Sequence, residues 1–149
     1  MSWLSRHAAS IEALAAMATA ALALAALIGV KIQLDEADRL QRQQSAREAF
    51  RAHLALAATL PDFAAPADEC ALLHSDRGGA YSAFVDHLLY SAEQMLSVSE
   101  GWETSFLDLF EPHRTYLCSD ESQGGETEET AALLARFRAS TCAEIPACD

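Results

Sequence analysis

Cysteine and histidine are the side chains in this sequence with the widest chemical repertoire, and their spacing limits what they can do. Cys70, Cys118, Cys142 and Cys148 are even in number and all follow the one long apolar run, as in a domain stapled by disulfides in an oxidising compartment. If the helices around them run up and down, Cys118 and Cys142 fall at opposite ends of a fourteen-residue helix. Such ends lie about 20 Å apart, well beyond the roughly 7 Å that two Cα atoms can span in a disulfide. If the domain is exported, the pairs geometry allows are Cys70 with Cys118 and Cys142 with Cys148; in a reducing cytoplasm, the side that flank charge favours, four free thiols are expected.

Metal and catalytic chemistry find less support. His53, His74, His87 and His113 are scattered, with no pair at i and i+4 around a glutamate and no Cys-x-x-Cys. Cys142 and Cys148 alone supply too few ligands, so no metal and no cofactor are expected, and each histidine reads as a polar or half-buried helix residue. There is no Gly-x-Ser-x-Gly and no phosphate-cradling loop; Gly78-Gly79 and Gly124-Gly125 are turn pairs. Glu121, Glu126, Glu128 and Glu129 suit a solvated loop and a helix start. No catalytic residue is assigned, and an enzyme is the least favoured of the function classes.

The elements that position these residues are organised around residues 13–30, ALAAMATAALALAALIGV, eighteen residues without a charge. As a helix the run is about 27 Å long, close to the thickness of a bilayer's hydrocarbon core. It is expected to span a membrane. A cleaved leader would want a small-x-small site after the apolar core, where this chain has Ile28, Gly29, Val30 and Lys31. A buried soluble helix would need more protein around it than the remaining residues provide. The span is assigned to 11–30 behind a flank, 1–10, in which Trp3 suits a membrane interface.

The chain carries a net charge of −12 over 149 residues, unevenly spread. From residue 52 onward only Arg77, Arg114, Arg136 and Arg138 oppose seventeen carboxylates, which excludes nucleic acid as a partner. Two arguments on orientation conflict. Lys31, Arg39, Arg42 and Arg47 after the span, against Arg6 before it, place the following domain in the cytoplasm. The cysteines point to a periplasmic or extracellular side. Charge is given the greater weight, and the expected location is the cytoplasmic face.

Residues 31–60 contain neither glycine nor proline, so the membrane helix is expected to continue as a stalk whose far half, 46–60, joins the core before Pro61 ends it. A loop should cover 61–70, a helical turn 71–74, and a turn 76–79. Tyr81, Phe84, Val85, Leu88, Leu89, Ala92, Met95 and Leu96 share one face of a helix over 80–96, with Asp86, His87, Glu93 and Gln94 on the wet side. Ser97 and Glu100 have the spacing of a capping box for a helix over 101–117, broken near Pro112. Thr127 opens a last helix with Glu128 and Glu129 at its start and Arg136 and Arg138 at its end; the tail from 141 is expected to be irregular. The reading is all-α: an N-terminal transmembrane helix, a helical stalk (31–60) and a small up-and-down helical domain (61–149).

This layout resembles a loose group of uncharacterised bacterial single-pass membrane proteins. The resemblance is carried by Gln41-Arg42-Gln43-Gln44 through Phe50, Pro61-Asp62-Phe63, the Tyr81 to Glu93 helix face, Trp102, and His113 with Tyr116-Leu117. It implies the same architecture and no particular activity. The functional expectation is an accessory or protein-interaction module in contact with membrane lipid, its partner another protein or a second copy. A cysteine-based sensor or redox-responsive module is the alternative.

Overall fold

A computed structural model describes residues 2–119, 122, 127–145 and 148, without the side chains of 2–6, 8–11 and 144. Among these residues there are helices and no strands. The chain divides into two units, Met1–Gln41 and Arg42–Asp149.

Helix α1, Ser2–Thr59, is continuous. Residues 1–10, expected to be a flank, are helical from Ser2, since nothing from Ser2 to Ser10 breaks a helix. The Trp3 side chain lies outside the described residues. From Leu14 to Leu40 the large apolar side chains are exposed, Leu22 by 72% and Leu27 by 66%. By length and composition the helix is able to cross a membrane. Where polar residues return, Lys31 bonds Asp35 at 3.0 Å and Arg39 bonds Glu36 at 2.8 Å, ordinary exposed pairs along a helix.

The second unit starts from the last turns of α1. Ala46 and His53 are buried there, with Phe50, Leu56 and Ala57 packed at the edge of the core. Pro61 cannot continue the hydrogen-bond ladder but suits a first turn, so the segment expected to be a loop opens with a short helix, α2 (Pro61–Ala64), and the helical turn expected at 71–74 is α3 (Glu69–Leu73), which starts two residues earlier. Asp68 caps α3 by accepting from Ala71 N at 2.9 Å. Helix α4, Gly78–Leu96, starts earlier than expected because Gly78 sits against the Leu73 carbonyl, where a Cβ would collide.

The apolar face of α4 is the middle of the core: Tyr81, Phe84, Val85, Leu88, Leu89, Ala92 and Met95 are all buried. The residues assigned to its wet side are not uniformly wet. Glu93 is buried and His87 half-buried, because α1 covers part of that side, with Ser91 Oγ donating to the Ala49 carbonyl at 3.3 Å. The capping box does not form. Ser97 ends α4, Gly101 turns the chain at φ 85°, and α5 (Glu103–Phe110) begins from Trp102 without a side-chain cap. The break near Pro112 is a short 3₁₀ turn, Glu111–His113, before α6 (Arg114–Cys118). Helix α7, Glu128–Thr141, opens on Thr127, whose hydroxyl accepts from Thr130 N at 3.4 Å. A 3₁₀ turn, Cys142–Glu144, follows where an irregular tail was expected.

Candidate functional site

The second unit brings its polar side chains together around α6. From α3, Glu69 reaches the open end of that helix: Oε2 accepts from Thr115 N at 2.8 Å and Oε1 from Tyr116 N at 2.8 Å. These are two of the backbone donors that a helix start leaves unpaired, and a carboxylate also matches the positive end of the helix dipole. At the other end, Arg138 Nε on α7 donates to the Leu117 carbonyl at 2.8 Å. Helix α6 is thus held by an anion at its start and a cation at its finish.

Glu69 Oε1 also accepts from the Tyr81 hydroxyl at 3.1 Å, and the same hydroxyl lies 2.9 Å from His113 Nδ1. A carboxylate only accepts, so the tyrosine proton points to Glu69. Tyr81 oxygen is then left to accept from His113 Nδ1–H, which fixes the histidine tautomer. The order is imidazole to phenol to carboxylate, the connectivity of a proton relay. Burial and the Glu69 carboxylate push the Tyr81 hydroxyl far above the usual phenol range. Burial lowers His113 to about 4, so the ring is neutral at ordinary pH.

Three histidines from three elements meet near Phe84. The His53 ring lies 4.9 Å from it and the His113 ring 5.7 Å, while His53 and His87 face each other at 5.7 Å with ring planes 17° apart. Desolvation, followed by the proximity of His87 and His113, lowers His53 to about 4. The Nδ1 atoms of His53 and His87 are buried without a hydrogen-bond partner. His74 lies apart and exposed on the surface. Among the described residues no three His, Cys, Asp or Glu side chains are grouped so as to hold a metal ion.

The four cysteines form two disulfides, Cys70–Cys148 and Cys118–Cys142, with Cα separations of 5.3 and 5.4 Å. Neither the free thiols expected of a cytoplasmic domain nor the pairs allowed on export, Cys70 with Cys118 and Cys142 with Cys148, are found. The up-and-down argument let Cys118 mark the start of the last helix. The residues between Cys118 and Glu128 are numerous enough, at about 3.3 Å each, to carry the chain the length of a fourteen-residue helix. The end of α7, rather than its start, therefore lies beside α6. The four expected site residues thus flank α6: Cys118 is its last residue, and Cys70 follows the Glu69 that caps it.

Glu69 and Tyr81 were not among the residues singled out as chemical. Tyr81 reads as core from its helical spacing, and nothing local to Glu69 indicates a partner 46 residues away. Glu121 and Glu126, grouped with Glu128 and Glu129 in the sequence, lie outside the described residues. Comparison with known protein families, curated proteins and solved structures finds no match for this chain.

Proposed function

We propose that the protein is a single-pass, membrane-anchored interaction module whose helical body faces an oxidising compartment. The observation that carries this reading is the combination of an apolar helix whose large hydrophobic side chains are bare from Leu14 to Leu40 with a body in which all four cysteines are paired. Disulfides of this kind persist outside the cytoplasm and are reduced within it. The orientation proposed is the reverse of that expected from flank charge. Flank charge biases insertion statistically, whereas paired cysteines are part of the body's covalent structure.

The body is read as non-enzymatic. The relay through Tyr81 ends on a histidine only 2% exposed, its phenol is fully buried, and both Glu69 oxygens are occupied by hydrogen bonds. A substrate has no approach to it, and its evident role is to hold α3, α4 and α6 in register.

Labelling intact cells with a membrane-impermeant maleimide, before and after reduction, tests the orientation. The expected result is labelling of intact cells only after reduction. Labelling that needs permeabilisation but no reductant would overturn it and return the body to the cytoplasm. The module reading is tested separately by purification in mild detergent: a lone monomer at every concentration, with nothing bound, would count against it. A redox-responsive module is the second reading, favoured by the position of both disulfides beside α6. Replacing all four cysteines with serine, with no change in folding or association, would remove it.

A further inference from the structure

We infer that the partner of this body is a second copy of the chain, and that an acidic cleft on one copy receives a basic stripe of α1 on the next. The inference rests on the membrane-anchored reading above and names the partner that reading leaves open.

The cleft, of about 790 Å³, lies where the end of α4, the start of α5 and one face of α7 meet. Leu96, Val98 and Leu133 give it an apolar floor, and Glu100, Glu103 and Glu129 line it with carboxylates. Arg136 is the one cation in the lining. Among the described residues none of these three carboxylates is in an ion pair. An occupant that satisfies the cleft carries positive charge beside an apolar group.

Such a group is present on the same body. Arg47, Arg51 and Leu54 are spaced i, i+4, i+7 on α1, which places them on one face. Both arginines are exposed and, among the described residues, form no ion pair; Leu54 is 44% exposed. Three of the body's other arginines are occupied elsewhere. Arg77 faces Asp62, Arg114 pairs with Glu111, and Arg138 serves the Leu117 carbonyl.

The two surfaces also adjoin one packing contact within the body. Phe50, one turn from Arg47, packs edge-on against Trp102 at 5.3 Å and against Phe106 at 5.6 Å. Trp102 stands between Glu100 and Glu103 in the chain, so two of the cleft's carboxylates neighbour in sequence the residue that packs against α1 one turn from Arg47. The cleft of one copy and the stripe of the next can meet by lateral approach in one bilayer. Each copy has one of each, so the contact is head-to-tail, and it propagates into a ring or a row. The bodies are acidic overall and repel at long range; confinement in the membrane raises local concentration and offsets that repulsion.

The test uses full-length chains labelled at the amino terminus with donor or acceptor dye, reconstituted in phosphatidylcholine vesicles and recovered by flotation. Energy transfer above the random-proximity level is expected at low salt, falling several-fold in 1 M NaCl. Arg47→Glu with Arg51→Glu should reduce it to the random level, as should Glu103→Lys with Glu129→Lys, each with unchanged circular dichroism. Mixing the two reversed chains should restore transfer, because each then offers the complement of the other. Random-level transfer in the parent chain, transfer that survives either reversal, or no recovery in the mixture would overturn the inference while leaving the anchored module standing. Failure to float with the vesicles would overturn the anchoring reading itself, and this inference with it.

Discussion

Leucine is used in two ways in this molecule. Leu14, Leu22, Leu24 and Leu27 on the first unit are each more than half exposed, whereas Leu88, Leu117 and Leu134 in the second are buried to within 1%. Burying a side chain of this kind is worth about 1.5–3 kcal/mol. Seven such groups between Leu14 and Val30 therefore leave on the order of 10 kcal/mol unrealised in water. The second unit leaves little comparable surface, with Leu54 and Tyr90 the only exposed large hydrophobics among its described residues. The difference shows that the bare helix is not an incompletely folded region. The body completes its own core, and the first unit keeps an exposed apolar surface whose length and composition are compatible with a membrane span.

The contrast can be broken from either side. Phe106→Ala removes a fully buried ring packed against Phe50 of α1 and Phe110 of α5, and should cost the body about 3–5 kcal/mol, read as a lower melting temperature. The same variant should still float with liposomes. Leu24→Arg reverses the pattern: a charge at the middle of the run costs about 3 kcal/mol of insertion, enough to abolish flotation of so alanine-rich a segment, while the melting temperature of the body stays unchanged.

Acid should act on the body alone. His53 and His113 are held near 4, below the value of about 6.5 they regain on unfolding. The unfolded chain therefore binds more protons between these values. Stability is complete above about pH 6.5 and falls as pH drops towards 4, by on the order of 2–3 kcal/mol for each histidine. Denaturant melts at pH 7 and pH 5 should show the loss, and His53→Phe should shrink it. Glu69→Gln should cost about 2 kcal/mol, because an amide cannot offer two acceptor oxygens to Thr115 and Tyr116. Faster hydrogen exchange confined to α6 would distinguish this from a general loss of packing.

How much of this was legible follows from the range of each interaction. The face of α4 and the Thr127 start of α7 are written in local spacing and were readable from it. The capping box at Ser97 was legible and misleading: Gly101 supplies a positive φ that redirects the chain before a helix can start from Ser97. The disulfide pairing depended on which end of α7 lies beside α6, which no local pattern encodes. The meeting of His53, His87 and His113 was hidden for the same reason, since each is an unremarkable helix residue until three elements are packed together.

The Cys70–Cys148 bond joins residues 78 apart in sequence, and the Cys118–Cys142 bond lies wholly inside that loop. A pull applied across residues 70 and 148 travels through sulfur rather than along the backbone, so α4, α5, α6 and α7 carry none of it. Tension arriving from the first unit would strip away the end of α1 and α2 before it met a covalent stop at Cys70. The segment containing the cleft behaves under such a pull as a shackle closed on itself, fixed in extent while its attachment gives way.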